Sequence, residues 1–175
     1  MADAHTGTYT QCQTFWDFSL RFYALQGVAP SCLAMQDKAS VDVNLMLFLL
    51  FLADRGRTVT TEEIGRLDTA IRAWRANVVE PLRALRRRLK TGIDGVAIES
   101  SEPLRTLVKK AELESERVEQ TVLEGLEGSI GRPGMARADA AAHNIQCLEA
   151  FIGPLPRQAV QILLSAFTNG LPLPA

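Results

Sequence analysis

The side chains most able to do chemistry in this sequence are polar and aromatic residues within its first 44 positions. Gln36, Asp37 and Asn44 supply amide and carboxylate groups, and Trp16 and Tyr23 supply aromatic surfaces with a polar tip. Apolar walls around a few polar groups are typical of a small-molecule pocket. With an arginine from a later basic segment, we predict a candidate ligand pocket from Trp16, Tyr23, Gln36, Asp37, Asn44 and Arg83.

The same polar residues also have a purely structural interpretation. A buried Asn or Asp without a hydrogen-bond partner costs about 1–3 kcal/mol, so Asp37 and Asn44 could instead bond backbone groups left open at helix ends. Cys32 could act as a nucleophile only beside a base, and the two histidines, His5 and His143, are distant in the sequence. We therefore favour Cys32 as a packed core thiol and predict no catalytic residue.

A basic segment followed directly by an acidic one is the second notable feature. Residues 55–91 contain ten Lys or Arg and four Asp or Glu, whereas residues 94–127 contain four and nine. The arginines between Arg72 and Lys90 could bind phosphate groups. Consecutive helices tend to pack antiparallel, however, so we expect these opposite charges to pair across a helix–helix seam. The net charge of −1 and the lack of a groove-reading motif argue against nucleic-acid binding.

Metal-ligating residue types occur in two places, but neither has the spacing of a metal site. His143 and Cys147, near Glu149, are four residues apart and share a helix face, yet a zinc site usually takes four ligands. Glu112 and Glu116 also share a face, but the Glu-x-x-His motif of carboxylate-rich bundles is absent. The chain also lacks a glycine-rich phosphate loop. The sequence therefore predicts no bound metal and no cofactor.

Helices must position these residues, because the composition is rich in Leu, Ala, Arg and Glu. The longest apolar run, 45–53, has nine residues, whereas a membrane span needs about 20. A helix that is apolar on every face belongs at the centre of a protein. Periodicity alone also allows a buried strand, but Leu and Met outnumber the β-branched residues. We predict a central helix over about 41–54, capped by Ser40 or Asp42.

The remaining helix signals follow this central helix. Thr60 and Glu63 form a Thr-x-x-Glu capping box at a helix start, and Pro81 should kink a longer helix or begin a new one. After a loop over 91–101, a helix with an acidic outer face is predicted over 103–126. Its inward residues are predicted to be Leu104, Leu107, Val108, Ala111, Val118, Val122 and Leu126.

These elements predict an all-α fold, a compact single-domain bundle of about six or seven helices over residues 11–169. Residues 1–10 are polar and are expected to form a disordered tail, and residues 170–175 an irregular C-terminal tail. The N-terminus has no apolar stretch, and the three cysteines are scattered without a CxxC pair. Both features favour a cytoplasmic protein with reduced thiols.

A distinctive pattern covers residues 15–90, about half of the chain. It contains Phe15-Trp16-x-Phe18-Ser19-Leu20, Tyr23, Gly27-Val28-Ala29, Cys32-Leu33, Gln36-Asp37, Asp42-Val43-Asn44-Leu45-x-Leu47-Phe48, Trp74, Val78-Val79-x-Pro81-Leu82-Arg83, Leu85-Arg86-Arg87 and Leu89-Lys90. In this pattern the chain resembles a bacterial family of short hypothetical proteins that has no assigned activity. The resemblance implies an α-helical fold and a bacterial cytoplasmic protein, and it implies no reaction.

With no catalytic constellation and with segregated charges, the sequence favours a non-catalytic protein-interaction or regulatory module. Its expected partner is another protein or a second copy of the chain. The first alternative is a small-molecule or lipid-binding bundle with a pocket near Trp16, Tyr23, Asp37 and Asn44. The second alternative is an enzyme that uses Asp37 and an arginine such as Arg83 on a phosphorylated or anionic small molecule.

Overall fold

A helix with no polar face must be enclosed on every side, and this requirement sets the architecture. The computed structural model describes residues 14–171. In chain order its elements are α1 (Phe15–Tyr23), α2 (Val28–Ala39), α3 (Val43–Asp54), β1 (Arg57–Thr58), α4 (Thr61–Trp74), a π segment (Arg75–Val79), α5 (Glu80–Thr91), α6 (Ile98–Gly125), a 3₁₀ turn (Glu127–Ser129), β2 (Arg132–Pro133), α7 (Arg137–Ile152) and α8 (Arg157–Gly170). Since α4, the π segment and α5 are continuous, they form one bent helix, and the predicted all-α bundle is confirmed.

The central position belongs to α3. Residues 44–54 are all buried, and α3 packs against α6 and α7. Asp42 caps the helix, because its carboxylate accepts a hydrogen bond from the backbone N–H of Leu45. The predicted central helix is therefore confirmed, and the strand alternative is wrong.

Phenylalanine rings join α3 to the two terminal helices of the described chain. Neighbouring ring centroids lie between 5.2 and 6.5 Å apart, most of them tilted or edge-to-face. Ring pairs in such geometries stabilise a core beyond the burial of their area. The members of this cluster, all fully buried, are Phe15, Phe18, Phe22, Phe48, Phe51 and Phe167.

The bend between α4 and α5 is caused by Pro81. Because proline has no N–H, the carbonyl of Asn77 loses its helical donor. The helix widens here, and the N–H of Glu80 donates to the carbonyl of Arg75, five residues back. The predicted break at Pro81 is therefore confirmed, and it takes the form of a wide turn inside a continuous helix. The capping box of Thr60 and Glu63 at the start of α4 is also confirmed.

The long helix α6 begins earlier than the sequence indicates. The loop predicted over 91–101 is reduced to residues 92–97, and the helix starts at Ile98 rather than near Pro103. Pro103 lies in the second turn of α6, where it removes one backbone donor while the neighbouring N–H groups keep their helical bonds. A proline so close to a helix start therefore marks the region of the start but not its first residue.

One buried side chain joins α7 to α3 and to the short sheet formed by β1 and β2. Asn144 is fully buried, and its amide oxygen accepts a hydrogen bond from the N–H of Val59 at 2.9 Å. Its amide nitrogen donates to the carbonyls of Leu49 at 2.9 Å and Arg57 at 3.1 Å. A single amide thus satisfies three backbone groups that would otherwise be buried without partners.

Several expectations concern residues outside 14–171. The tail over 1–10, residues 11–13 of the predicted domain and residues 172–175 of the C-terminal tail lie there, and they stay predictions. Within the described residues, no helix has the length and hydropathy needed to cross a membrane.

Candidate functional site

The six residues of the predicted ligand pocket lie in different surroundings. Asp37 is exposed, and its carboxylate accepts a hydrogen bond from Arg87 at 3.0 Å rather than from Arg83. Trp16 is half-buried, with the guanidinium of Arg117 at 5.3 Å from its ring. Tyr23 is 39% exposed. Asp37 therefore pairs with an arginine of α5 at the surface, and that arginine is Arg87 rather than Arg83.

Gln36 and Arg83, in contrast, line one cleft, which the other four predicted residues do not line. The cleft has a volume of about 450 Å³ and lies between the α2–α3 joint, the bent α4–α5 helix and α7. Apolar side chains of α7 form one wall. Its lining residues are Gln36, Ser40, Val41, Asp42, Leu45, Asp68, Arg75, Glu80, Arg83, Ala84, Arg87, Leu148, Phe151 and Ile152.

The arginines of this cleft already have partners. Arg75 donates to Asp42 at 3.1 Å and to Asp68 at 2.7 Å. Arg83 donates to two carboxylates of α6, and Arg87 to the exposed Asp37. A phosphate group would have to displace these carboxylates, so the charges of the cleft do not favour an anionic substrate.

A buried polar network connects α3 to α6 beneath the cleft. Asn44, only 7% exposed, donates from its amide nitrogen to Glu119 at 2.7 Å. Gln120 donates to the amide oxygen of Asn44 at 2.9 Å. Asn44 therefore neither bonds a helix end nor forms a pocket floor, because its partners are side chains of a neighbouring helix.

Glu119 is 1% exposed and lies close to a second carboxylate, that of Asp42. Burial, and then the negative charge of Asp42, raise the pKa of Glu119 to about 8. The Oε1 atom of Glu119 is buried without a hydrogen-bond partner in the structure, and protonation lowers the cost of burying this carboxyl group beside Asp42. The pair can hold one proton at neutral pH, and Asp42 connects it to the cleft.

The seam between α5 and α6 is built from ion pairs, as predicted. Arg83 donates to Glu112 at 3.1 Å and to Glu116 at 2.5 Å, and Arg86 pairs with Glu112 through a short contact. Burial opposes ionisation of Glu112, but the hydrogen bonds and charges of Arg86 and Arg83 leave its pKa below the ordinary value. Burial raises the pKa of Glu116 despite the charge of Arg83. The acidic residues of α6 therefore do not all face solvent, because Glu112 is buried and Glu116 is half-buried in the seam.

The orientation of α6 differs from the predicted one by roughly a quarter turn at 100° per residue, and Val108 and Leu123 are among its buried residues. Glu112 and Glu119 face inward with exposures of 6% and 1%, whereas Leu107 and Val118, predicted to be inward, are 61% and 45% exposed. The prediction was right for Val108, which is buried. It was wrong for Leu104, Leu107, Ala111, Val118 and Val122. The physical reason is that α5 and α3 supply ion-pair and hydrogen-bond partners for the polar residues of α6. If the apolar residues of α6 faced inward instead, these groups of α5 and α3 would lose their partners.

Five exposed apolar residues of α6 share one face of the helix, and we call this set the outer stripe. Exposed Glu114 and buried Ser115 lie between its two halves. Its members are Leu104, Leu107, Ala111, Val118 and Val122. Leu104 is 51% exposed, Leu107 61%, Val118 45% and Val122 40%, and Ala111 is also exposed. Spacings of three, four and seven residues place them on one face of the helix. The stripe runs over 19 residues, which are 18 steps of about 1.5 Å, or about 27 Å.

Within residues 14–171, the cysteines Cys32 and Cys147 and the histidine His143 do not form a reactive site. Burial raises the pKa of Cys32 to about 12, so its thiol stays protonated, as expected for a core residue. Cys147 lies 3.5 Å from Nε2 of His143, but that nitrogen is also 3.1 Å from the carbonyl of Val59. A ring N–H that donates to this carbonyl cannot accept a proton from the thiol. Across the part of the chain that the structure describes, no cluster of three or more ligating residues could hold a metal ion.

Sequence reasoning missed Glu119, Gln120 and Asn144 as key buried polar residues. One usable signal was present for the seam, because Glu112 and Glu116 are four residues apart and match two arginines, Arg83 and Arg86, one turn apart. No comparable signal marks Asn144, which lies among alanines and apolar residues of α7.

Comparison with known proteins supports the resemblance of the first half and extends it into α6. Neither the curated proteins nor the solved structures gave a match to the chain. A family model described as "Protein of unknown function (DUF2390)" matches residues 14–123, which include α1 to α5, both carboxylate-bearing turns of the seam and the outer stripe. The chain therefore belongs to the DUF2390 family.

Proposed function

We propose that the chain is a non-catalytic protein-interaction module that docks through the outer stripe of α6 onto an amphipathic helix. The observation that carries this proposal is the rotation of α6, which leaves four large apolar side chains 40–61% exposed along one helix face. Scattered exposed apolar residues are ordinary, but a contiguous apolar face bordered by polar residues is typical of interaction sites.

The geometry of the stripe favours a helix as the bound element. Residues at intervals of three, four and seven are the pattern that one helix presents to another. The border of the stripe is charged, with Lys110 and Glu114 exposed on one side. A polar rim around an apolar centre is the usual anatomy of a docking surface. An apolar stripe of a partner helix would fill the space along the face of α6.

The alternative of an enzyme for anionic substrates receives less support. The arginines of the cleft are paired with carboxylates, and burial keeps the Cys32 thiol protonated. A cytoplasmic location belongs with the interaction proposal, since the free thiols of Cys32 and Cys147 suit a reducing compartment.

Site-specific photo-cross-linking tests the proposal. A photoreactive residue at position 107 of the full chain, expressed in its own host, should give a discrete protein adduct. The matched control is position 113 on the same helix, where Leu113 is also exposed, at 49%, but lies off the stripe. The absence of an adduct at position 107, or equal adducts at both positions, would contradict the proposal.

A small molecule in the cleft is a second candidate function. It is favoured by the volume of about 450 Å³, which falls within the usual range of about 300–1,000 Å³ for ligand sites, and by the apolar wall of Leu148, Phe151 and Ile152. Native mass spectrometry of the purified chain should then find a co-purifying molecule that Ala84→Trp, which fills the cleft, removes. A ligand-free wild-type protein would count against this candidate.

A further inference from the structure

We infer that the cleft between the α2–α3 joint, the bent α4–α5 helix and α7 binds a small organic cation, an ammonium group carried on an apolar body. This inference rests on the second candidate function proposed above, because it names the chemical class of the ligand in the same cleft. The charged side chains that line the cleft differ in whether they have partners. That difference and the apolar wall of α7 together define what fits.

Glu80 is the lining residue whose charge is left without a partner. The arginines and aspartates that line the cleft are all held in ion pairs. The carboxylate of Glu80, exposed in the first turn of α5, forms no ion pair or hydrogen bond with any other residue of the described chain. A cationic ligand can pair with it without displacing an existing contact, whereas an anionic ligand would face it directly.

The paired charges around the cleft compensate one another. Arg72 and Arg75 share the two lining aspartates. Arg83 and Arg86 share two glutamates of α6, and the surface ion pair between α2 and α5 has one charge of each sign. Each of these sets holds as many arginines as carboxylates, so the negative charge of Glu80 remains in excess.

Two uncharged polar side chains of the cleft can also receive an ammonium group. Gln36 lies in the last turn of α2 and Ser40 directly follows that helix. Within residues 14–171, neither side chain forms a hydrogen bond, so the amide oxygen and the hydroxyl oxygen are free to accept one. An ammonium group carries up to three N–H donors and no acceptor. The cleft therefore offers acceptors on both α2 and α5.

The wall formed by α7 requires that the cation carry an apolar body. Leu148, Phe151 and Ile152 line this wall, and the ring of Phe151 is half-buried. An alkyl or aryl group gains free energy by burial against such side chains, which an inorganic cation cannot use. An aromatic ring also attracts a cation that lies over its face. The volume of about 450 Å³ leaves room for a body of this kind.

Three probes of similar shape and different charge test the inference. They are 2-phenylethylammonium, 2-phenylethanol and 3-phenylpropionate, each titrated into the full chain near neutral pH at low salt and followed by protein-observed NMR. We expect the cation to bind about threefold more tightly than the alcohol and about tenfold more tightly than the carboxylate. Added sodium chloride, at about 0.5 M, should remove most of this preference because it screens the charge of Glu80.

Substitutions on the exposed face of α5 locate the preference. Glu80→Gln keeps the shape of the side chain and removes its charge, so the affinity for the cation should fall to that for the alcohol, which should not change. Glu114→Gln is the matched control, an exposed glutamate on α6 that does not line the cleft. It should leave all three affinities unchanged. Ala84→Trp, which fills the cleft, should abolish the binding of every probe.

The outcomes separate the class of the ligand from the existence of the site. A preference for the cation that persists in Glu80→Gln overturns the inference. Equal affinities for the three probes, all lost in Ala84→Trp, overturn the cationic class and leave the small-molecule cleft standing. Absence of binding by every probe overturns both. The interaction module stands or falls separately, because cross-linking at position 107 tests a different surface.

Discussion

The two helices α3 and α6 pack against each other but use their apolar residues in opposite ways. In α3 every residue from 44 to 54 is buried, including the polar Asn44 and Asp54. In α6 the glutamates 112 and 119 are buried, and Leu107 is the most exposed large apolar side chain of the described residues. The burial of apolar side chains decides the position of a helix when no buried ion pair or hydrogen bond favours another orientation. It does not decide the rotation of a helix whose charged residues have partners in the interior.

The difference has an energetic basis. An ion pair placed in the interior adds little net stability, but removing one partner leaves an uncompensated charge and is strongly destabilising. The ion pairs between the arginines of α5 and the carboxylates of α6 therefore fix the rotation of α6 about its own axis. Leu107 and the other residues of the outer stripe are exposed as a consequence.

The comparison is tested most strongly by placing one aspartate in each helix. Leu47→Asp puts a charge without a partner at a site that is 3% exposed, and we expect a loss above about 4 kcal/mol, enough to unfold the protein. Leu107→Asp, the matched change on α6, should alter the free energy of unfolding by less than about 0.5 kcal/mol. Urea titration followed by far-ultraviolet circular dichroism measures both. A stably folded Leu47→Asp variant would show that α3 is not enclosed.

The role of the seam is tested by removing an arginine. Arg83→Ala leaves Glu112 and Glu116 short of a partner, with side chains 8% and 26% exposed, and should cost about 2–4 kcal/mol. Arg87→Ala, which breaks an ion pair whose side chains are 52% and 56% exposed, should cost less than about 1 kcal/mol. The same denaturation measurement compares the two. Equal effects would mean that the seam does not fix the rotation of α6.

The buried proton between α3 and α6 gives an effect that depends on pH. The pKa of Glu119 is raised to about 8 in the folded chain, from 4.5 in the unfolded one. The folded state therefore binds the proton more tightly, and the stability that this proton contributes is complete below pH 4.5 and is lost as pH rises through 8. Glutamine resembles the protonated form. Glu119→Gln should lie close to the wild type in stability near pH 5 and exceed it near pH 8.5, with a difference that grows as the pH rises.

Groups near Glu119 must be considered in that experiment. Asp42 lies beside it, Asn44 and Gln120 complete the network, and Arg75 pairs with Asp42. The exposed Glu114→Gln variant is the matched control and should keep the pH dependence of the wild type. Parallel stability curves for wild type and Glu119→Gln between pH 5 and 8.5 would mean that Glu119 is ionised throughout.

The sequence predicted those features that depend on neighbouring residues alone. The apolar run before Ala53 is sufficient to place α3 at the centre, and Asp42 and the Thr60–Glu63 box mark helix starts through contacts within one turn. The pairing of a basic helix with an acidic one also followed from chain order. These signals are local, so no knowledge of the tertiary arrangement was needed.

The features that the sequence did not predict depend on tertiary partners. The inward rotation of Glu119 requires Asn44, 75 residues away, and the role of Asn144 requires three backbone groups from other elements. Of the predicted pocket residues, Gln36 and Arg83 line one cleft, whereas Trp16 and Asp37 do not line it. Proximity in the sequence says little about separation across α1 and α2. The hydrophobic pattern of α6 alone indicated a different rotation, with Leu107 rather than Glu112 facing inward.

The wide turn before Pro81 has a consequence for the alignment of arginines. One hydrogen bond that spans five residues adds a single residue to the helix without advancing its phase. Eight positions separate Arg75 from Arg83 in the sequence, but in phase they are seven apart, which is close to two full turns. The extra residue thus behaves as an insertion that leaves the helical phase of the following residues unchanged. Deletion of one residue between positions 75 and 79 would yield a regular helix with both guanidinium groups still on the same side.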